Sequence, residues 1–379
     1  MAAVSTDVDV LPVEGNERLD DFLNVLWTVY AGDSAWVPPL LIERKGSLSP
    51  KEPFFRHAEW QGWVAYRSGK PVGRISAQID RLYLERYPDR TGYFGMLDAI
   101  DDVAVFAALF AKAEAWLREK GMQRLVGPFN LGINQEVGML VEGYDTPAYF
   151  LMGHARPWFH DQVKALGFAG CQDMLAYLLP TRYQDNPRIA RLRQRLARKV
   201  SIRQLDRRRK DEELEVLRSI FNDAWSENWG FVPFTQEEFA AIGSMLLMLL
   251  PRDFVLIAET EGEPVGFIVL VPNLNEVIGD LNGRLFPFGW IKLLWRLKVK
   301  FPTTARVPLM GVRKRLHNTP LGPGIATMLI EELGQSASRA GVHTNELSWI
   351  LDSNEGMRSI IERIGGVVSK RYRMYEKPL

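Results

Sequence analysis

The stretch RVPLMGVRKRLHNTPLGPGIATMLIEELGQSASR, residues 306–339, decides how the chain folds. Arg306–Val312 reads as a strand, and Arg313, Lys314 and Arg315 follow it as a basic turn. Beyond the turn, Ala326, Leu329, Ile330, Leu333 and Ala337 recur at the spacing of one helix face. Between strand and helix lies Thr319-Pro320-Leu321-Gly322-Pro323-Gly324. Glycines there let the backbone approach a ligand closely, and a helix start offers unpaired N–H groups at the positive end of its dipole. These parts together suit a pyrophosphate. The P-loop and dinucleotide fingerprints do not fit, because neither Gly-Lys-Ser/Thr nor GxGxxG follows.

Working outward, two segments repeat. WVAYRSGKPVGRI (Trp63–Ile75) and VLIAETEGEPVGFI (Val255–Ile268) each read strand, Gly-x-Pro turn, strand. Gly69 and Gly262 stand 193 apart, while Leu166 and Ile364, Tyr177 and Tyr375, and Pro180 and Pro378 stand 198 apart. Similar offsets at two distant places indicate a duplicated domain. Each half alternates strands and helices, which predicts an α/β class with a mixed (α+β) sheet. The boundary falls between residues 1–180 and 181–379, with a basic segment, 281–304, inserted into the second half. Arg188–Lys199 reads as a basic connector. The halves are not equivalent: the first runs from strand to helix through Ile100-Asp101-Asp102, without a glycine loop and with carboxylates that repel phosphate. It is expected to bind no cofactor and to shape either the substrate pocket or a dimer.

Composition narrows the classes. A chain of 379 residues exceeds the usual span of a single core, and 46% hydrophobic with 25% charged residues describes a globular protein. A net charge of +1 gives no reason to expect nucleic acid. Cys171 stands alone, so neither an internal disulfide nor a cysteine-rich metal site is available, and no metal is expected. The N-terminus lacks the pattern of a secretory signal, and no apolar run reaches the roughly 18–20 residues of a membrane span, so a cytoplasmic location is expected.

From about residue 200 onward the chain resembles the GNAT acyltransferases, whose acyl-CoA loop reads Gln/Arg-x-x-Gly-x-Gly/Ala. Gly322 and Gly324 take the glycine places, and Thr319 stands where Gln or Arg is usual. The resemblance implies an acyl-CoA co-substrate held by Val312, Arg313, Lys314, Arg315, Thr319, Leu321, Gly322, Gly324 and Ile325. Asn354 stands where the family's Asn touches the CoA arm, unless it is a plain helix cap. In that fold the strand before the loop bulges, and its free N–H groups meet the acyl carbonyl. Pro308 and Gly311 interrupt the strand here, so the N–H groups of Met310 and Val312 are the candidate oxyanion donors.

Glu346, within TNELSWI, is the candidate general base. Alternation puts Glu346, Ser348 and Ile350 on one face, and Leu347, Trp349 and Leu351 on the other. A carboxylate in so apolar a strand is either used or paired with a neighbouring arginine. His317 is a second candidate. The family's general-acid tyrosine is Ile361 here, which leaves Tyr375, Tyr372 or water to protonate the leaving thiolate. Cys171 is a poor nucleophile candidate, so direct attack of the amine is expected. In the first half, GPFNLGINQEVGMLVEGYD (Gly127–Asp145) clusters Asn130, Asn134 and Glu136. With Trp349 these are candidate acceptor-binding residues; a structural Asx-rich loop is the alternative.

Between Asn282 and Ile330 there is no Asp or Glu but nine Lys and Arg. Wound as a helix, FPFGWIKLLWRLKVK sets Lys292, Arg296 and Lys300 in one stripe with tryptophans and leucines around the rest. Such a helix either lies on an anionic membrane surface or docks on its own protein. Phe239–Leu250, with Met245 and Met248, is a candidate wall for an acyl chain.

Over nearly its full length the chain resembles the bacterial ceramide synthase group of tandem GNAT proteins. NDAWSENWGFVPFTQEEF (Asn222–Phe239), LNGRLFPFGWIKLLWRLK (Leu281–Lys298), TPLG (Thr319–Gly322), ELSWIL (Glu346–Leu351) and MYEKPL (Met374–Leu379) carry that resemblance. It implies N-acylation of a lipid-like amine, a sphingoid base, by a long-chain acyl-CoA. Transfer to a small soluble amine, and acyl-CoA binding without turnover, remain as alternatives.

Overall fold

The structure, a computed structural model, describes residues 8–181 and 187–379. The chain begins β1 (Asp9–Pro12), α1 (Gly15–Val29), α2 (Leu41–Ser47), β2 (Ala58–Arg67), β3 (Lys70–Asp80), α3 (Arg81–Arg86), β4 (Thr91–Ala99) and α4 (Val103–Glu119). It continues β5 (Arg124–Gly127), β6 (Phe129–Asn130), β7 (Glu136–Val137), β8 (Met139–Glu142), α5 (Trp158–Ala165) and β9 (Ala169–Pro180). Next come α6 (Pro187–Leu196), β10 (Ser201–Gln204), α7 (Lys210–Ala224), α8 (Gln236–Leu249), β11 (Val255–Thr260), β12 (Glu263–Pro272) and α9 (Asn275–Ile278). The chain ends α10 (Gly289–Val299), β13 (Thr304–Val312), α11 (Leu321–Arg339), β14 (Thr344–Leu351), α12 (Glu355–Arg363) and β15 (Val367–Pro378).

Two compact units result. The first holds the chain up to Asp173 together with Ile278–Trp290 and Lys370–Leu379; the second holds Met174–Val277 and Ile291–Ser369. In the first, strands lie in the order β1-β2-β3-β4-β5-β15, antiparallel except for the parallel pair β4–β5. In the second the order is β10-β11-β12-β13-β14-β9, and β13–β14 is the parallel pair. The two halves have therefore exchanged their last strands. Tyr375 pairs with Gly127 in the first unit, and Tyr177 pairs with Leu347 in the second. A single cut after residue 180 does not follow these units, and the first part of the inserted segment, residues 281–290, belongs to the first.

The repeated hairpins share one turn. Ser68-Gly69 and Glu261-Gly262 both hold two successive positive φ angles, the conformation that matches the twist of two-residue hairpins. In the second unit, the stripe on α11 is buried as the spacing predicts. α11 lies against Gly266 through Ile325 and Leu329, and α7 lies against Gly311 through Ile220 and Ala224. Gly266 pairs with Val312 and Gly311 with Phe267, so alternation places the two helices on opposite faces of the sheet. Gly311 does not interrupt β13. It stays in register, and its missing side chain admits α7, since a Cβ there would stand 3.2 Å from that of Ala224. Pro308 does mark an irregularity, a register shift between Val269 and Val271 of β12.

Candidate active site

β13 and β14 pair only from Thr304 and Thr344 up to Val307 and Leu347; beyond those residues they part. The N–H of Arg313 donates to the carbonyl of Val265 in β12 at 2.7 Å, and this fixes the phase of the strand. Arg313, Gly311 and Leu309 point their N–H groups at β12, so Met310 and Val312 point theirs away from it, into the fork. Both carbonyls on that side are occupied: Trp225 Nε1 donates to Met310 O at 2.9 Å, and His317 Nε2 to Val312 O at 2.6 Å. Among the described residues neither N–H of Met310 or Val312 has a side-chain or loop acceptor. Two fixed donors facing an open wedge are what a developing oxyanion requires. Sequence reasoning missed Trp225, which reads only as the end of an amphipathic helix. The proton on His317 Nε2 is committed to a carbonyl, which removes that nitrogen as a base.

Glu346 sits one residue before the parting point, 0% exposed and directly across from Arg306. Arg306 Nε lies 3.9 Å from its carboxylate and donates to Ser348 Oγ at 2.6 Å. A buried arginine counter-ion is thus present, the alternative that the sequence left open. Trp349 departs from the expected alternation. Its φ of +60° coincides with a register shift between Leu347 and Ile350 against β9, a bulge that turns its ring onto the Arg306 guanidinium at 4.2 Å. Trp349 therefore joins the Glu346 cluster instead of facing away from it.

The glycine motif lies within the helix rather than ahead of it. α11 begins at Leu321, and its first turn contains Gly322, Pro323 and Gly324 with Pro320 as cap. Both prolines lack an N–H, and Leu321 N–H reaches Thr319 Oγ1 at 3.3 Å, so few main-chain donors remain for an anion. Gly322 is required by packing: a Cβ would stand 2.4 Å from the carbonyl of Leu316. Ile325 is buried beneath the turn. The basic residues have partners of their own: Arg313 donates to Ser219, Lys314 pairs with Glu227, and Arg315 pairs with Glu263 at 2.7 Å. The last two pairs are exposed and cost little to exchange for phosphate. Asn354 caps α12, accepting from Met357 N–H at 3.1 Å.

Tyr375 and Tyr372 are fully buried in the first unit, and Tyr375 is hydrogen bonded to His160 there. Burial raises the Tyr375 phenol above its ordinary pKa. The strand exchange thus takes both candidate acids out of the unit that holds Glu346. Tyr177 occupies the matching place in the second unit and donates to Glu362 Oε1 at 2.8 Å. Burial pushes the Cys171 thiol up to about 11, in keeping with a poor nucleophile.

The first unit repeats the fork and closes it. β4 and β5 pair over Thr91–Tyr93 and then part. Asn130 Oδ1 accepts from Met96 N–H at 2.7 Å, and a Cβ on Gly95 would stand 1.6 Å from the Phe129 carbonyl. Asn130 Nδ2 donates to Glu136 at 3.1 Å, and Arg44 pairs with the same carboxylate. Asn130 and Glu136 thus hold the plug together; neither is free for an acceptor. Asn134 lies half-buried in the same loop. At the start of α4, Asp102 caps the helix through Ala104 N–H and pairs with Arg67 at 2.7 Å.

No family model matches the chain. It is 44% identical over 381 residues to the bacterial ceramide synthase of Caulobacter vibrioides, covering 100% of this chain and 99% of that protein. The chain belongs to the tandem GNAT N-acyltransferases of the bacterial ceramide synthase group. This N-acyltransferase is also 51% identical over 353 residues to protein YghO of Escherichia coli K12, across 93% and 90% of the two chains. Among solved structures, a tandem GNAT protein from the clavulanic acid biosynthesis pathway matches 98% of each chain with a TM-score of 0.59 at 14% identity. A GCN5-related N-acetyltransferase from Sphaerobacter thermophilus matches with a TM-score of 0.53 at 11% identity. These two likenesses are of fold. Among the described residues, no group of metal-ligating side chains and no helix able to cross a membrane is present.

Proposed function

We propose that this acyltransferase moves a long-chain acyl group from coenzyme A to the primary amine of a sphingoid base, such as sphinganine or 3-oxosphinganine, while resting on an anionic membrane surface. The observation that carries the lipid reading is the outward face of α10. Trp290, Ile291, Leu294, Trp295 (55% exposed) and Val299 on this helix all stand in solvent. Arg296 turns inward, donating to Val277 O at 2.6 Å, with Leu293 and Leu297 half-buried beside it, while the tryptophans face out. An exposed apolar patch of this kind is characteristic of an interaction surface. With Lys292, Lys298 and Lys300 beside it, the surface suits anionic headgroups over acyl chains.

The chemistry follows from the fork. The amine attacks the thioester carbonyl carbon, and the N–H groups of Met310 and Val312 hold the oxygen as charge develops. The C–S bond breaks, the thiolate leaves with a proton from water, and the nitrogen gives up its proton to Glu346. Arg313, Lys314, Arg315, Thr319 and the main chain at Leu321, Gly322, Gly324 and Ile325 flank the CoA phosphates, with Asn354 at the arm; Trp349 lines the acceptor side. Free-thiol release from the purified protein, with a panel of acyl-CoAs against sphingoid bases and small amines, tests the assignment. Long-chain acyl-CoA with a sphingoid base should give the highest kcat/KM, and Glu346→Gln should lower kcat by about 100-fold or more. Turnover only with small soluble amines would overturn the lipid reading.

A further inference from the structure

In the second unit the described residues line an apolar cavity beside the fork. It lies between α7, α8 and strands β11–β13, and every residue lining it is apolar or glycine, among them Leu217, Phe234, Phe239, Ile242, Leu246 and Leu309. Two of these observations point to a ligand. Leu309 directly precedes Met310, so the cavity wall begins one residue from the N–H that faces the thioester carbonyl. α8 packs chiefly on α7 and stands off the strands, leaving the space beneath it. Its outer side is in solvent, Met248 being 80% exposed.

We propose that this cavity receives the alkyl chain of the acyl donor, and that Ile242 on α8 sets the chain length accepted. The inference rests on the acyl-transfer reading above and adds where the chain runs. With the carbonyl oxygen on Met310 and Val312, a chain passing to the α7 side of the sheet crosses Leu309 and enters a space with no polar group to desolvate. A dry apolar space that water gains little by filling is a favourable place for methylenes. Gly243 permits the arrangement: a Cβ there would stand 2.5 Å from Leu214 Cδ2, so the glycine lets α8 sit close to α7 with Ile242 lining the cavity.

Two measurements test it on the full-length protein. The first is the ratio of kcat/KM for palmitoyl-CoA to that for butyryl-CoA. Ile242→Trp should lower this ratio at least about tenfold, and Ile242→Ala should move the optimum to longer chains. A ratio unchanged in both variants overturns the assignment, while the wild type's preference for long chains would leave acyl transfer standing. The second needs no turnover: a palmitoyl-CoA analogue with a photoreactive diazirine at the chain terminus is cross-linked and mapped by mass spectrometry. Labels on residues 214–217 or 239–250 support the cavity, and labels confined to α10 or elsewhere overturn it.

Discussion

The fork between β4 and β5 and the fork between β13 and β14 were built by the same duplication, and they have opposite contents. In the first, the chain's own backbone fills the gap: Phe129 lies against Gly95, Asn130 takes the Met96 N–H, and Gln78 Nε2 donates to the carbonyls of Phe129 and Leu131. In the second, Met310 and Val312 keep their N–H groups toward the wedge, and only the neighbouring carbonyls are spoken for. The lesson is that a splayed parallel pair creates unpaired main-chain donors, which must be satisfied by something. One fork is satisfied by an asparagine of its own loop and becomes structure. In the other, among the described residues, no side chain or loop takes the Met310 and Val312 N–H groups.

The sharpest way to break this comparison is Gly95→Ala. The added carbon would meet the Phe129 carbonyl at 1.6 Å, a backbone clash that no rotamer relieves. A loss of at least about 4 kcal/mol in urea unfolding is expected, and a near-neutral result would mean the plug is loose. Next in size is Arg306→Met, which leaves the buried Glu346 carboxylate without its guanidinium and should cost about 3 kcal/mol. In a double-mutant cycle with Glu346→Gln, the two losses should fall well short of additive. Asn130→Ala strands the Met96 N–H and one Glu136 contact, so about 1–3 kcal/mol is expected in stability. KM for acyl-CoA should stay unchanged in this variant; a raised KM would show that the first fork also takes part in binding.

The smallest effect concerns acid. Burial lowers the His154 pKa below 6.5, against the opposing pull of Asp33, while Lys370 and Arg156 lower it further. The unfolded chain therefore binds the proton more readily than the folded one. Stability from this group is fully present above pH 6.5 and is lost as pH falls from there through the folded value. His154→Gln should flatten that slope in unfolding curves recorded at several pH values. An unaltered slope would assign it to other groups.

How much was legible in the sequence follows from how each feature is encoded. The hairpins at Gly69 and Gly262 and the helix stripe from Ala326 to Ala337 are local, and spacing alone reveals them. The duplication shows in the offsets, and the resemblance with Pro308 and Gly311 named Met310 and Val312 as candidate donors, whose N–H groups point away from β12. Gly311 misled because a glycine in a strand marks either a bulge or a close approach, and only the neighbouring helix distinguishes the two. Trp349 misled because a single left-handed residue resets which face every later side chain takes.

By itself, then, the sequence determined the repeated hairpins, the helix stripe from Ala326 to Ala337 and the existence of two copies of one domain. Periodicity and turn chemistry act over a few residues, and a reader can count them. Only the tertiary structure decided that Lys370–Leu379 completes the first sheet and Met174–Pro180 the second, that Glu346 meets Arg306, and that α10 turns its tryptophans outward. Those outcomes depend on which hydrogen-bonding edges and apolar faces meet across hundreds of residues, and no local pattern records them.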